Sequence, residues 1–372
     1  MQMVDLQGQY NKIKDEVQAG INECLESAAF INGPAVKEFQ AQLENHLGVS
    51  HVIPCANGTD ALQIAMMALG LQPGDEVICP AFTYVATAEV IGLLGLKPVM
   101  AEVCADTFNI DVNRLEQLLT PRTKAIVPVH LFGQSTDMEP LMAFAEKHGL
   151  YVIEDNAQAI GADYTFSNGA TAKTGTIGHI GCTSFFPSKN LGCYGDGGAM
   201  MTNNDKLAAK LRMIANHGQE KKYYHKVLGC NSRLDTIQAA ILKVKLQRLD
   251  EYSAARNRMA DFYDKNLGDI KGLQIPVRAA NSTHVFHQYT IRIKNGRRDE
   301  LQAFLQSEKI PCMIYYPVPL YRQEAFSGYV PENFELPVTE QLCREVLSLP
   351  VHTEFNREDA EYIISKIKAF FA

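Results

Sequence analysis

Ser184-Phe185-Phe186-Pro187-Ser188-Lys189-Asn190-Leu191-Gly192-Cys193-Tyr194-Gly195-Asp196-Gly197-Gly198 is the stretch on which the reading of this chain turns. It sets one lysine between an apolar run and a glycine-rich turn, where a solvated lysine has no obvious reason to be. A lysine held partly out of water gives up its proton more readily and becomes a nucleophile toward carbonyls. For a lysine taken at random, an ordinary surface position is the commoner case. Lys189 therefore needs partners elsewhere in the sequence.

Working outward, short apolar runs alternate with longer amphipathic ones. Cys182–Phe186 reads as a strand, as do Glu76–Cys79, Pro98–Ala101, Ala125–Val129 and Tyr151–Ile153. Helical spacing covers Asp60–Leu69, Ala86–Leu94, Met138–His148 and Asp205–Ala215. This alternation predicts an α/β fold with a large, mostly parallel sheet covered on both faces. Leu234, Ile237, Ile241 and Val244 keep one apolar face, and Leu249 falls close to it. They predict one long helix running past Arg256 and out of the large domain. Beyond it the pattern changes. Tyr289–Ile293 alternates like an antiparallel strand, and Asp299–Gln306 and Glu358–Phe370 read as amphipathic helices. The expected organisation is a large domain over residues 1–250 and a smaller C-terminal α+β domain over residues 251–372.

Composition narrows the function classes. The 372 residues are 46% hydrophobic and 21% charged, as in ordinary globular proteins. A net charge of -7 argues against a general nucleic-acid binder. No signal peptide is read at the N-terminus, and no apolar run is long enough to span a bilayer. The nine cysteines stand singly, with no C-x-x-C pair, so neither a disulfide framework nor a zinc site is expected. The reading is a cytoplasmic protein with no membrane or metal partner.

Two segments offer Lys189 company. In Asn57-Gly58-Thr59-Asp60-Ala61-Leu62, Thr59 is expected to cap a helix that Gly70 ends. A helix N-terminus with free N–H groups seats phosphate, although a plain cap is the commoner reading. In Tyr151-Val152-Ile153-Glu154-Asp155-Asn156-Ala157-Gln158 an apolar strand ends in two carboxylates, where open α/β sheets bind ligands. An acid there could hold a pyridine nitrogen protonated or simply cap a turn. Strand alternation puts Asp155 toward a ligand and Glu154 away from it. Tyr84 could stack on a flat ring or belong to the core. A nucleophilic lysine, a phosphate seat and an acid for a pyridine nitrogen together point to pyridoxal 5'-phosphate. The sequence has no H-E-x-x-H, no G-x-S-x-G and no Walker A loop.

These motifs, with Gly74-Asp75-Glu76-Val77 and Asn231-Ser232-Arg233, resemble the DegT/DnrJ/StrS family of nucleotide-sugar aminotransferases over nearly the whole chain. The resemblance implies the aspartate-aminotransferase fold (fold type I) and pyridoxal phosphate as cofactor. It implies that Lys189 binds the cofactor and moves the substrate proton, and that Asp155 pairs with the ring nitrogen. Gln158 would lie near the ring's phenolic oxygen, and Tyr84 would stack on the ring. Gly58, Thr59 and Ser184 would hold the phosphate. Asn231 would reach the cofactor of a neighbouring subunit, implying a homodimer with shared active sites. Arg233 could bind a substrate carboxylate or make a structural ion pair. Some relatives with histidine in place of this lysine are dehydratases, so Lys189 favours amino transfer.

The Ser184–Gly198 wording looks most like enzymes acting on UDP-2-acetamido-2-deoxy-3-oxo-glucuronate, with L-glutamate as amino donor, for bacterial surface polysaccharide. Val4–Tyr10 and Tyr316-Pro317-Val318-Pro319-Leu320 agree. Tyr315 and Tyr316 are then candidate substrate contacts. Tyr315 stands where that branch usually has histidine, and Asn156 where alanine is commoner. The alternatives are a dTDP- or UDP-hexose aminotransferase acting on a 3- or 4-keto sugar, a dehydratase using the same cofactor, and a non-catalytic sensor or scaffold.

Overall fold

Apolar runs such as Val77-Ile78-Cys79 are buried on both faces, which only a sheet covered by helices on each side allows. The structure is a computed structural model describing residues 1–372. Helices α1 (Leu6–Ser27) and α2 (Pro34–Leu47) open the chain. Then come β1 (His51–Cys55), α3 (Gly58–Leu69), β2 (Glu76–Pro80), α4 (Ala86–Leu93), β3 (Lys97–Ala101), β4 (Thr123–Ile126), α5 (Met138–His148) and β5 (Tyr151–Asp155). A hairpin of β6 (Asp163–Thr165) and β7 (Thr171–Lys173) precedes β8 (Ile180–Ser184), β9 (Gly198–Thr202) and α6 (Asp205–Ala215). A second hairpin, β10 (Gln219–Lys221) and β11 (Tyr224–His225), leads to α7 (Thr236–Leu246) and α8 (Leu249–Leu267). The chain ends with β12 (Leu273–Gln274), β13 (Tyr289–Ile293), α9 (Arg298–Ser307), α10 (Pro337–Glu345), β14 (Val346–Leu349) and α11 (Arg357–Phe371).

The large sheet has seven strands in the order β1-β9-β8-β5-β4-β2-β3. Strands β3, β2, β4, β5 and β8 pair in parallel, and β9 runs against both β8 and β1. Only β9 therefore opposes the common direction. Strand β1 carries Pro54 at the edge, where a missing N–H costs no ladder bond. Sequence reading placed neither β1 nor β9, the second of which begins inside the glycine-rich run.

Helix α3 is apolar nearly all round, with Leu62, Ile64, Ala65 and Met66 buried, and it packs against the sheet and α6. Its cap is not Thr59, as expected, but Asn57. The Asn57 side chain accepts the Asp60 N–H at 2.8 Å, and its backbone is extended, as a cap requires. Thr59 lies inside the first turn. Gly70 ends the helix in the left-handed conformation (φ 77°), as read from the sequence.

The expected single helix from Leu234 past Arg256 is two helices. Leu234 is buried ahead of α7, and the chain breaks at Gln247-Arg248. Arg248 leaves helical geometry (φ -113°, ψ 5°), and its guanidinium donates to the Val244 carbonyl at 3.1 Å, capping α7 with a cation. Helix α8 then has one end in each of two cores. Leu249 packs with Phe39, Phe185 and Leu242, whereas Met259, Tyr263 and Leu267 pack with Phe286, Tyr289 and Ile291. The second core covers the antiparallel sheet β12-β13-β14. No helix is long and apolar enough to cross a membrane.

Candidate active site

Strands β5 and β8 are parallel neighbours, so their C-terminal residues Asp155 and Ser184 open on the same edge of the sheet. The turn after β2 and the start of α3 reach that edge too. A cavity of about 660 Å³ lies there. Its walls include Gly58, Thr59, Tyr84, Asp155, Gln158, Ser184, Lys189, Tyr315 and Tyr316. Nine of the eleven residues singled out in the sequence are thus brought together, from segments more than 250 positions apart.

The floor is a narrow cradle. Asn57 holds the Asp60 N–H with its side chain, and its carbonyl accepts the Ala61 N–H at 3.1 Å. The N–H groups of Gly58 and Thr59 are left free at the positive end of α3. A Cβ on Gly58 would lie 2.7 Å from Ser184 Cβ, and one on Gly198 would lie 2.4 Å from the Asn57 carbonyl carbon. Glycine at both positions lets the ends of β8 and α3 and the start of β9 converge. Ser232, which sequence reading had not singled out, anchors the approach by accepting the Ala56 N–H at 3.0 Å.

Asp155 is buried at the cavity edge. One carboxylate oxygen accepts from the Thr87 hydroxyl at 2.7 Å, and the other from the Ala157 N–H at 3.1 Å. Glu154 points away, as alternation required. It accepts from His130 Nε2 at 2.8 Å and from the N–H groups of Gly175, Ile177 and Gly178 at 2.8, 2.7 and 2.6 Å. His130 Nδ1 accepts the Thr136 N–H at 3.0 Å, so its Nε2 carries the hydrogen donated to Glu154.

The Lys189 amine is enclosed by these walls, although the residue keeps some exposed surface. Burial lowers its pKa to about 8, and the opposing attraction of Asp155 restores only part of the shift. Gln158 accepts the Phe132 N–H at 2.8 Å, which aims its NH₂ at the Tyr316 hydroxyl, 3.2 Å away. Tyr84 remains 58% exposed with its ring 6.4 Å from that of Tyr316, so one face is open to a flat ligand. Burial pushes the phenols of Tyr315 and Tyr316 up, keeping them protonated donors.

Asn231 and Arg233 do not join these walls. Asn231 is exposed and bridges to Asn216 through its backbone, and Arg233 is half-buried outside the cavity. Arg233 therefore does not reach the cavity from its own chain. Conversely, the cavity gains residues that sequence reading missed: Thr83, Asp196, His287 and Gln288. His287 is buried with Nδ1 unpartnered, and its pKa is pushed well down by burial, then by Lys189 and Arg256. The buried Thr83 hydroxyl is likewise unpartnered. The only sequence signal for His287 is two polar residues interrupting Val285-Phe286 and Tyr289.

The family model described as the DegT/DnrJ/EryC1/StrS aminotransferase family matches residues 11–368. The chain belongs to this family. The DegT/DnrJ/EryC1/StrS relatives include a UDP-2-acetamido-2-deoxy-3-oxo-D-glucuronate aminotransferase of Pseudomonas aeruginosa, 47% identical over 95% of each chain. A protein of Geobacillus stearothermophilus named a pleiotropic regulatory protein is also 47% identical, over 99% of this chain and 98% of its own. A solved DegT/DnrJ/EryC1/StrS aminotransferase from Brucella abortus superposes with a TM-score of 0.94 at 43% identity, covering both chains fully. The protein is accordingly a pyridoxal-phosphate-dependent aminotransferase of fold type I. Its residues fit the cofactor. Gly58, Thr59 and Ser184 line the cavity at the start of α3, where a helix N-terminus suits a phosphate, and Thr83 and His287, each with a buried unpartnered polar atom, line the same cavity.

Proposed function

We propose that this enzyme aminates a keto nucleotide sugar, UDP-2-acetamido-2-deoxy-3-oxo-glucuronate, at carbon 3 with L-glutamate as donor. The single observation that carries amino transfer is the buried Lys189 amine in one cavity with Asp155, Gly58 and Ser184. The sugar rests on the Ser184–Gly198 wording and on the Pseudomonas aeruginosa relative.

The bound cofactor supplies an electron sink and carries the amino group. The chain's own residues do the rest. A pKa of about 8 leaves roughly a tenth of free Lys189 amines neutral near pH 7, against well under a thousandth at the ordinary lysine value. Lys189 Nζ can therefore take a proton from one of the two carbons flanking the transferred nitrogen and return it to the other, as a base and then an acid. Asp155 would hold the ring nitrogen protonated, and Tyr84 would stack on the ring. The free N–H groups of Gly58 and Thr59, with the Ser184 hydroxyl, would hold the phosphate. Tyr315 and Tyr316 contact the sugar. Asn231, exposed on its own chain, reaches the site of a second copy, giving a homodimer with shared active sites, and Arg233 beside it meets a substrate carboxylate. The pathway served is surface-polysaccharide biosynthesis in the cytoplasm.

A panel of UDP- and dTDP-linked keto sugars with glutamate, read by product mass and proton NMR, tests the substrate. A Lys189→Ala variant tests the chemistry: unchanged turnover would sink it. The name of the Geobacillus stearothermophilus relative favours a second reading, a regulator that kept the fold. Purified protein with no visible cofactor band, even after pyridoxal phosphate is added, would support that reading.

A further inference from the structure

The hydrogen bonds of Asp155 are unequal in what they fix. Ala157 is two residues away on the same loop, so its N–H bond to Oδ1 ties the carboxylate to its own turn. Thr87 lies 68 positions away in sequence, in the first turn of α4, and donates to Oδ2 at the shorter distance of 2.7 Å. Its side chain is fully buried, and its hydroxyl has one proton to give. A threonine in a helix commonly turns its hydroxyl back to the carbonyl one turn earlier. Here the donated proton crosses to the strand end instead.

Thr87 is also three residues after Tyr84, the aromatic on the cavity wall. One short segment thus sets both the ring-facing aromatic and the rotation of the acid. The rest of the strand end is held through the backbone: Asp155 N–H donates to the Pro128 carbonyl, and the Asp155 carbonyl accepts the His130 N–H. The side-chain torsion is set by the Ala157 and Thr87 bonds together, and Thr87 is the partner that reaches in from another segment.

We infer that Thr87 is a positioning residue for pyridoxal phosphate: its hydroxyl fixes the carboxylate of Asp155 in the orientation that meets the ring nitrogen. This rests on the proposed role of Asp155. A hydrogen bond to a charged acceptor is among the stronger ones, and its loss leaves a buried carboxylate oxygen unsatisfied.

The test uses purified protein stripped of cofactor and titrated with pyridoxal phosphate, following the visible band. Thr87→Val keeps the shape and removes the donor. It is expected to weaken cofactor affinity by roughly tenfold and to move the band in the direction seen for Asp155→Asn, by less. Thr87→Ser keeps the donor and should restore both within about twofold. Circular dichroism melting of the stripped proteins controls for folding. Wild-type affinity and band position in Thr87→Val would overturn the assignment, as would a Thr87→Ser variant no better than valine. An Asp155→Asn protein with unchanged affinity and band would instead overturn the role of Asp155.

Discussion

Gly58 faces Ser184 across so narrow a gap that a Cβ on the glycine would lie 2.7 Å from the Cβ of the serine. The contact joins the start of α3 to the end of β8, the two elements that form the floor of the cavity. Gly58→Ala should push these ends apart, at a cost of about 1–3 kcal/mol in stability. It should also weaken pyridoxal-phosphate affinity at least tenfold, because the free N–H groups move with the helix start. Thermal denaturation and cofactor titration read the two effects separately. Unchanged values for both would show that the cradle has slack.

Lys189 makes a prediction about the cofactor-free protein. Its folded pKa of about 8 lies below the ordinary lysine value of 10.5. Below pH 8 the amine is protonated in both folded and unfolded states, and folding carries the full penalty of enclosing a charge. Between pH 8 and 10.5 the unfolded chain binds more protons, so stability rises with pH. Above 10.5 the penalty is gone. Lys189→Met should therefore stabilise the stripped protein by on the order of 1–3 kcal/mol at pH 7, with the gain shrinking toward pH 10. Urea unfolding at several pH values checks it, and a gain independent of pH would contradict it.

Glu154 is fully buried and accepts from His130 and three backbone N–H groups. Glu154→Ala would leave four donors unpaired in the interior. Destabilisation of about 3–5 kcal/mol is expected, read by denaturant midpoint. Glu154→Gln keeps the shape and one acceptor, and should lose less.

The Tyr316 hydroxyl accepts from Gln158 and keeps its own proton for a ligand. Tyr316→Phe should lower kcat/KM for the keto sugar by about tenfold with little change in melting temperature. Steady-state kinetics with both substrates decides. An unchanged kcat/KM would remove Tyr316 from the site.

Local patterns carried much of this. The spacing of Met138–His148 and Asp205–Ala215 matches the observed helices residue for residue, because helical periodicity is written within a few turns. Strand ends were less legible. Thr123–Ile126 stops before the expected Val129, which pairs with Asp155 only as an isolated bridge beyond Pro128, whose missing N–H interrupts the ladder. The cap of α3 went to Asn57 over Thr59 since both are good caps and only backbone geometry separates them.

By itself the sequence determined an α/β chain with a lysine, an acid and a helix start in the order of one aminotransferase family. Tertiary structure alone decided which residues close the cavity. His287 comes from the edge of the second core, Thr87 reaches Asp155 from another segment, and Ser232 holds the approach to α3. Arg233, by contrast, stays outside. Such contacts join positions tens to hundreds of residues apart, so no local spacing encodes them; strand order and packing bring them together.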